Sequence, residues 1–172
     1  MYRPKDRDKL EQLIVDCYHG KLYLKDIDVS LITDMLYMFN PIYYRRRHDE
    51  HMDINEIWED ERNDIKQWDL SGVTNMINMF AYSKFNRNLS IWVLSLDHNV
   101  DTYLFNERSK HSDRYGAINS YEDFVKTVTW DVVKNRIHDI MEYGSDSDKY
   151  KLLKKLNSVK QFSNIDIGNI TL

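Results

Sequence analysis

The chain repeats itself, and this repeat limits the possible folds more than any other feature of the sequence. Residues 24–39 (LKDIDVSLITDMLYMF) and 65–80 (IKQWDLSGVTNMINMF) carry the same or similar residues at a constant offset of 41 (65 − 24). A looser third copy starts at residues 89–95 (LSIWVLS), at an offset of 24 (89 − 65) from the second. One inserted residue then brings its continuation to Phe105, at an offset of 25 (105 − 80). A period of ~24 residues is typical of the coils of leucine-rich-type solenoids.

A coil of this size cannot bury its own apolar residues, so neighbouring coils are expected to stack. Each coil of such a solenoid supplies a short strand together with a turn or helix. We therefore predict an α+β fold, a short leucine-rich-repeat-like solenoid of about three coils capped by N- and C-terminal helices. In the second coil the residues expected to point inward are Ile65, Trp68, Leu70, Val73, Met76, Met79 and Phe80.

The second unit also resembles a known family. Its residues WDLSGVTNM (68–76), MF (79–80), FN (85–86) and LSIW (89–92) are similar to the BspA-like, mycoplasma-lipoprotein-type surface repeat, approximately WDVSxVTxMxxMFxxxxxFNxxISxW. The first unit departs from this pattern, because Ile27 stands where the family has tryptophan. The resemblance covers roughly residues 22–106. It implies a leucine-rich-repeat-like solenoid for protein binding or adhesion, usually at cell surfaces, and it carries over no catalytic residue.

The length of 172 residues predicts a single domain, residues 1–172. Residues 1–20 are expected to form an N-terminal capping helix, since the apolar residues of 4–19 fall on one helical face. Residues 21–106 would form the repeat coils, interrupted by an insertion at 40–63, and 107–172 a helical C-terminal cap. In the cap we expect one helix from Ser120 to Gly144, a second over residues 147–162, and a short strand at 165–170.

The insertion is the segment where we expect partner binding, since long loops on rigid scaffolds often carry function. Its basic and aromatic residues predict a partner-binding site: Tyr43, Tyr44, Arg45, Arg46 and Arg47. Arginines beside tyrosines could also contact nucleic acid, and so could the lysines of residues 149–160. The acidic run from Asp53 to Glu61 and the net charge of −4 oppose that alternative. Pairing of basic with acidic patches, inside one chain or between subunits, is the simpler interpretation.

Catalytic interpretations are weaker. His48 and His51, with Asp49 and Glu50 between them, suggest a metal-dependent hydrolase as an alternative function. The histidines are three residues apart, whereas helical zinc sites place them four apart, and the sequence shows no third ligand. Cys17 lies on the apolar stripe of the first helix, so we expect a buried structural thiol. The sequence predicts no enzyme, no metal and no cofactor.

The predicted function is therefore a non-enzymatic protein–protein interaction or structural assembly module whose partner is another protein. Nucleic acid is an unexpected partner, and no apolar run is long enough for a membrane span. With no apolar segment near residue 1 that resembles a signal peptide, we expect a cytoplasmic or virion-associated protein. Abundant isoleucine, asparagine, lysine and tyrosine suggest an AT-rich genome, bacterial or viral, and leave a host-interaction role open.

Overall fold

The structure is a computed structural model that describes residues 1–97, 99–103 and 108–159, apart from the side chain of Tyr115. Six α-helices lie in these ranges: α1 Arg7–Tyr18, α2 Pro41–Arg47, α3 Lys110–Tyr115, α4 Tyr121–Thr127, α5 Trp130–Tyr143 and α6 Asp146–Val159. Three short 3-10 helices span Leu24–Asp26, Ile54–Glu59 and Ser90–Leu94. None of the helices in the described ranges is both long enough and apolar enough to cross a membrane.

The predicted α+β solenoid is wrong, because the described part of the chain contains no β-sheet. Among the described residues, the β-pairing between repeat units is limited to isolated parallel bridges, Asp34 with Asn75 and Asn75 with Asp101. A third isolated bridge joins Tyr2 to Ile27. The leucine-rich-repeat interpretation needed strands, and helices are the regular elements found instead.

Local hydrogen bonds explain why no strand extends beyond a bridge. Asn75 Oδ1 accepts the N–H of Ile77 at 3.0 Å, which removes the donor that a longer parallel ladder would use. Asp34 binds Leu36 N–H at 2.9 Å in the same way, and Asp101 binds Tyr103 N–H at 3.1 Å. The carbonyls of Met35 and Met76 accept N–H groups three residues ahead, so the chain turns after a single bridge.

The register between the units is visible in their backbone hydrogen bonds. Met35 N–H donates to the carbonyl of Asn75 at 2.8 Å, and Met76 N–H donates to the carbonyl of Asp101 at 2.7 Å. The bridge between Asp34 and Asn75 confirms the offset of 41 (75 − 34). The offset between Asn75 and Asp101 is 26 (101 − 75), so the third unit has gained two residues by this point and not one. Phe105 lies outside the described residues.

The predicted inward residues of the second unit are confirmed, since all seven are buried. Equivalent aromatic rings stack from unit to unit. The ring of Phe39 lies 5.3 Å from that of Phe80, its equivalent, with an angle of 8° between the planes. Phe80 also stacks on Trp92 of the third unit at 6.2 Å, although these two positions are not equivalent. Burial of such rings provides a large share of the hydrophobic free energy of folding.

The first helix covers the first unit. Asp6 caps α1 by accepting the N–H of Lys9 at 2.8 Å, and Gly20, with φ +70°, follows its end. The predicted apolar face is buried, with Tyr18 partly exposed. Tyr2 bonds the backbone of Asp26 and Asp28 at 2.7 Å each, so the residues before α1 also pair with the first unit.

The C-terminal half differs from the prediction at one helix boundary. Ser120 caps α4 as expected, accepting the N–H of Asp123 at 3.1 Å. The predicted helix to Gly144 is split into α4 and α5, because Val128 is extended and Thr129 N–H donates to Ser90 Oγ at 2.7 Å. The strand predicted at 165–170 and the end of the helix predicted to reach residue 162 lie outside the described residues. The single-domain assignment stays a prediction.

Candidate functional site

The insertion begins with a short helix that is fixed against α1. Asn40 caps α2 by accepting the N–H groups of Ile42 at 2.9 Å and Tyr43 at 3.2 Å. Pro41 stands at the first turn, where the helix needs no N–H donor. The helix that starts here directs Tyr43 and Arg47 toward Glu11 of α1.

The second half of the insertion is packed into the core and is not a solvated loop. Arg87, from the segment that leads to the third unit, donates to four backbone carbonyls between Trp58 and Asn63, at 2.9–3.3 Å. The buried amide of Asn63 donates to Ile57 O and accepts from Leu24 N–H, both at 2.9 Å. Trp58 Nε1 donates to Ser83 Oγ at 3.1 Å. These bonds attach residues 54–63 to the repeat units on both sides.

The acidic run of the insertion stabilises turns. Asp53 accepts the N–H of Asn55 at 3.2 Å, and Asp60 accepts that of Arg62 at 2.9 Å. Asp60 also receives the Arg62 guanidinium at 2.7 Å, and the hydrogen bonds from Arg62 lower the pKa of this carboxyl to about 2. Asp53 and Asp60 therefore stabilise the turns in which they lie.

A buried carboxylate joins α1 to α2. Glu11 is 2 % exposed and accepts hydrogen bonds from Tyr43 Oη at 2.9 Å, Arg47 Nε at 2.6 Å and His48 Nε2 at 2.7 Å. We call Glu11, Tyr43, Arg47 and His48 the Glu11 cluster. Burial raises the pKa of Glu11, but the hydrogen bonds from Tyr43, Arg47 and His48 outweigh it, so the pKa lies below its ordinary value. Glu11 is thus an ionised structural anchor at neutral pH.

Two of the five residues predicted to bind a partner are available to one. Tyr44 is fully buried and donates to Met38 O at 2.9 Å; burial raises the pKa of its hydroxyl. Tyr43 and Arg47 belong to the Glu11 cluster, and Arg47 also lies 3.6 Å from Asp8. Arg45 and Arg46 are exposed, and neither has a hydrogen-bond or ion-pair partner among the residues that the structure describes. We call these two residues the α2 arginine pair.

The alternative of a metal-dependent hydrolase finds no support in the geometry. His48 Nε2 is bonded to Glu11, whereas the His51 side chain is 87 % exposed, 3.6 Å from Glu50. Over the described ranges, histidine, cysteine and acidic side chains form no group of three placed to hold a metal ion. Cys17 is buried, and burial, with Asp16 and Asp26 nearby, raises the pKa of its thiol to about 12. A protonated, buried thiol is a poor nucleophile.

A cleft of about 430 Å³ opens between the end of α1 and the residues that follow α2. Its lining residues are three histidines, one aspartate and three larger side chains: His19, His48, His51, Asp49, Val15, Tyr18 and Met52. We call it the histidine cleft. The sequence pointed to His48 and His51, but nothing in their spacing indicated His19, which lies 29 residues before His48 (48 − 19). Glu11 was missed as well, although an acidic residue next to the apolar stripe of α1 was a signal for it.

The comparisons with known proteins give a family. The family model described as "Mycoplasma protein of unknown function, DUF285" matches the chain twice, over residues 8–118 and 48–137. Two overlapping matches are what a repeated sequence produces, and the resemblance to the mycoplasma type of repeat is confirmed at this level. No curated protein and no solved structure matches the chain. Because the first match alone covers more than half of the chain, the protein belongs to the DUF285 family.

Proposed function

We propose that this protein is a non-enzymatic interaction module that binds an acidic surface of another protein through the α2 arginine pair. The observation that carries the proposal is the contrast within one helix. Arg47 is bonded to Glu11, while Arg45 and Arg46 are exposed and have no partner in the described part of the chain. Arginine is enriched at protein interfaces and binds carboxylates through two parallel hydrogen bonds.

The support of α2 also favours binding. The Glu11 cluster fixes the last turn of α2 to α1, and Asn40 fixes its first turn, so the arginine pair stands on an anchored helix. A binding group on a rigid element loses less conformational entropy when the complex forms. Two long arginine side chains on an anchored helix are therefore suited to bind a partner.

Binding is a better explanation than catalysis for the polar residues of the insertion. The candidate catalytic side chains were His48, His51 and Cys17. His51 is exposed at the surface, 3.6 Å from Glu50. His48 is bonded to Glu11, and the Cys17 thiol is buried with a raised pKa. A catalytic base or nucleophile would need to reach a substrate.

The charges around α2 favour a protein over nucleic acid. Asp49, Glu50 and Asp53 follow the arginines within eight residues (53 − 45), and the whole chain carries a net charge of −4. Such carboxylates repel a continuous polyanion but tolerate a small acidic patch that faces the arginines. An acidic protein surface is the partner that fits this pattern.

Affinity capture with two charge-reversal variants tests the proposal. The first variant is Arg45→Glu with Arg46→Glu; the matched control is Lys151→Glu with Lys154→Glu on α6, where both lysines are also exposed. Bound proteins are identified by mass spectrometry. We expect the α2 variant to lose a partner that the wild type and the α6 variant retain, and that partner to present an acidic patch.

The same experiment can contradict the proposal. Loss of the partner only in the α6 variant would move the interface to the lysines of α6. Capture of nucleic acid, with an affinity that falls steeply as salt rises, would replace the protein partner by a polyanion. The cytoplasmic or virion-associated location is a further proposal, tested by whether purified particles contain the protein in stoichiometric amounts.

A further inference from the structure

We propose that the acidic surface bound by the α2 arginine pair belongs to a second copy of this chain, which presents the carboxylates of Glu56 and Glu59 in a two-fold dimer. We call Glu56 and Glu59 the glutamate pair. The inference deepens the proposed function and rests on it, because it names the partner that the arginines would bind.

The glutamate pair lies on one face of a short helix. Residues Ile54–Glu59 form a 3-10 helix, which has about three residues per turn, so side chains three residues apart lie above one another. Ile54 and Ile57 are buried on one face, whereas Glu56 and Glu59 are exposed on another. Neither carboxylate has a hydrogen-bond or ion-pair partner among the residues that the structure describes. Two neighbouring negative charges are therefore available at the surface.

The arginine pair lies on the solvent side of α2. Tyr44 is fully buried, and two residues turn an α-helix by about 200°, so the Arg46 side chain lies nearly opposite it. Ile42, four residues before Arg46, shares its face and is partly exposed. Arg45 is exposed beside them. A partner that meets this side of α2 would contact guanidinium groups and an aliphatic side chain.

The two pairs stand on neighbouring elements. α2 packs against the 3-10 helix Ile54–Glu59. Both elements are anchored, α2 by the Glu11 cluster and the 3-10 helix by Arg87, which donates to the carbonyl of Trp58 at 3.0 Å. No ion pair joins the arginine pair to the glutamate pair within the described part of the chain. Charges of both signs are thus held on adjacent elements without neutralising each other.

Most other charged side chains of the insertion have partners inside the chain. Glu61, two residues after Glu59, is the exception: it is exposed, has no ion-pair partner in the described ranges, and would strengthen the acidic side. The internal contacts are Arg47 with Glu11, Asp49 with the N–H of His51, Glu50 with His51, Asp53 with Lys84, and Asp60 with Arg62.

A surface that carries both signs of charge fits a second copy of itself. In a two-fold dimer the same surface faces its own copy, so each arginine pair can meet the glutamate pair of the other chain. Ile42 and Trp58, both partly exposed on these elements, add the aliphatic and aromatic contacts that interfaces favour. A different acidic protein would be bound by the arginines alone, and its carboxylates would face the glutamate pair as like charges.

Sedimentation velocity of the full chain tests the inference. The wild type is measured over a wide range of concentrations, at low and at high salt (about 0.05 M and about 0.5 M NaCl). We expect an equilibrium between one chain and two. We expect its dissociation constant to rise about tenfold at the higher salt, because the four charge pairs are exposed to solvent and screened.

Two charge-reversal variants identify the residues that meet. Arg45→Glu with Arg46→Glu makes the surface wholly acidic, and Glu56→Lys with Glu59→Lys makes it wholly basic. Each variant alone is expected to weaken dimerisation at least about tenfold, because like charges then face each other. An equimolar mixture of the two is expected to form a mixed dimer at least as tightly as the wild type, which also shows that both variants fold.

Matched controls reverse exposed charges far along the chain. Lys151→Glu with Lys154→Glu on α6, and Asp139→Lys with Glu142→Lys on α5, change the net charge by the same amounts. Both controls are expected to dimerise as the wild type does. A loss of dimer in a control equal to that in the insertion variants would assign the effect to net charge and overturn the inference.

The remaining outcomes separate this inference from the proposed function. A chain that stays single at every concentration, or a mixture of the two variants that forms no mixed dimer, overturns the second copy as partner. The proposed function would then still stand if the arginine variant loses a different acidic protein in affinity capture. Assemblies that keep growing beyond two chains would overturn the two-fold arrangement, because a closed dimer leaves no free surface of this kind.

Discussion

Trp68 and Trp92 make the same hydrogen bond in successive repeat units. Trp68 Nε1 donates to the carbonyl of Leu24 at 3.1 Å, and Trp92 Nε1 donates to the carbonyl of Ile65 at 2.9 Å. Leu24 and Ile65 are themselves equivalent positions, 41 residues apart (65 − 24). Each tryptophan thus attaches its own unit to the start of the unit before it, through a buried polar group.

The tryptophan bonds predict a measurable loss of stability. Trp68→Phe and Trp92→Phe each remove one of two hydrogen bonds to a buried carbonyl, since Leu24 O also accepts the N–H of Ile27 and Ile65 O that of Trp68. We expect each lost indole bond to lower the free energy of unfolding by about 0.5–1.5 kcal/mol. Urea denaturation followed by circular dichroism measures it. Trp130→Phe is the control, because Trp130 is partly exposed and its indole has no hydrogen-bond partner among the described residues. An equal loss in all three variants would assign the effect to lost volume.

The Glu11 cluster predicts a pH-dependent contribution to stability. Glu11→Gln keeps the volume but removes the charge that Arg47 and His48 bind, so we expect a loss of about 1–3 kcal/mol at pH 7. The folded-state pKa of Glu11 lies below its ordinary value of about 4.5. The stabilisation is therefore complete above about pH 4.5 and disappears as the pH falls through the lowered folded-state pKa.

Denaturation curves at several pH values check this expectation. The difference between wild type and Glu11→Gln should be constant from pH 7 to about pH 5 and shrink at more acid pH. Glu142→Gln, which removes the carboxylate partner of exposed His138, should change the free energy by no more than about 0.5 kcal/mol. A difference that is independent of pH would show that Glu11 acts without its charge.

The buried imidazole of His111 predicts a second loss of stability in acid. This loss begins at a higher pH than the loss that Glu11 causes. Its side chain is 2 % exposed and stacks on Phe85 at 5.9 Å. Burial, with a smaller contribution from Arg114, lowers the pKa of this imidazole from 6.5 to about 4. The unfolded chain takes up the proton first, so the folded state should lose about 2–3 kcal/mol as the pH falls from about 6.5 to about 4.

Nuclear magnetic resonance can follow His111 itself. The chemical shift of its ring C–H protons should change with a midpoint near pH 4. The calorimetric Tm should fall over the same range from pH 6.5 downward, and His111→Phe, which retains the ring stacking, should flatten that part of the profile. A midpoint near 6.5 would show that protonation of the imidazole does not lower the free energy of unfolding.

The sequence predicted the register of the first two units and their core, because burial follows directly from the repeat of apolar residues. It did not predict that the units would lack strands. That outcome depends on Asp34, Asn75 and Asp101, whose side chains bond backbone groups two residues ahead. The same residue types also occur at the ends of strands, so the pattern alone could not separate a strand from a series of turns.

The remaining differences come from contacts that are distant in the sequence. The break between α4 and α5 depends on Thr129 bonding Ser90, 39 residues earlier. The Glu11 cluster joins residues that are 32 to 37 positions apart in the sequence. A local sequence pattern cannot show such contacts, so all five basic and aromatic residues of α2 were predicted to bind a partner. The structure leaves Arg45 and Arg46 as the accessible pair because the other three have internal partners or are buried.

The hydrogen bonds of Arg87 predict that this side chain alone holds residues 54–63, the second half of the insertion, in place. Its guanidinium donates to the carbonyls of Trp58, Asp60, Glu61 and Asn63. Lysine cannot reproduce this fork, because an ammonium group has three donors on a single atom. We expect Arg87→Lys to lower the free energy of unfolding by about 1–2 kcal/mol. We also expect the rate of amide hydrogen exchange to increase more within residues 54–63 than in the rest of the chain.

Hydrogen–deuterium exchange measured by mass spectrometry separates a local from a global effect. Arg108→Lys is the matched control, since Arg108 is an exposed arginine that donates to the hydroxyl of Tyr82 at 2.9 Å. It should leave exchange in residues 54–63 unchanged. If Arg87→Lys accelerates exchange uniformly, the arginine stabilises the fold as a whole. If exchange rises only at 54–63, the insertion opens as a unit while α2, fixed to α1 through Glu11, stays in place.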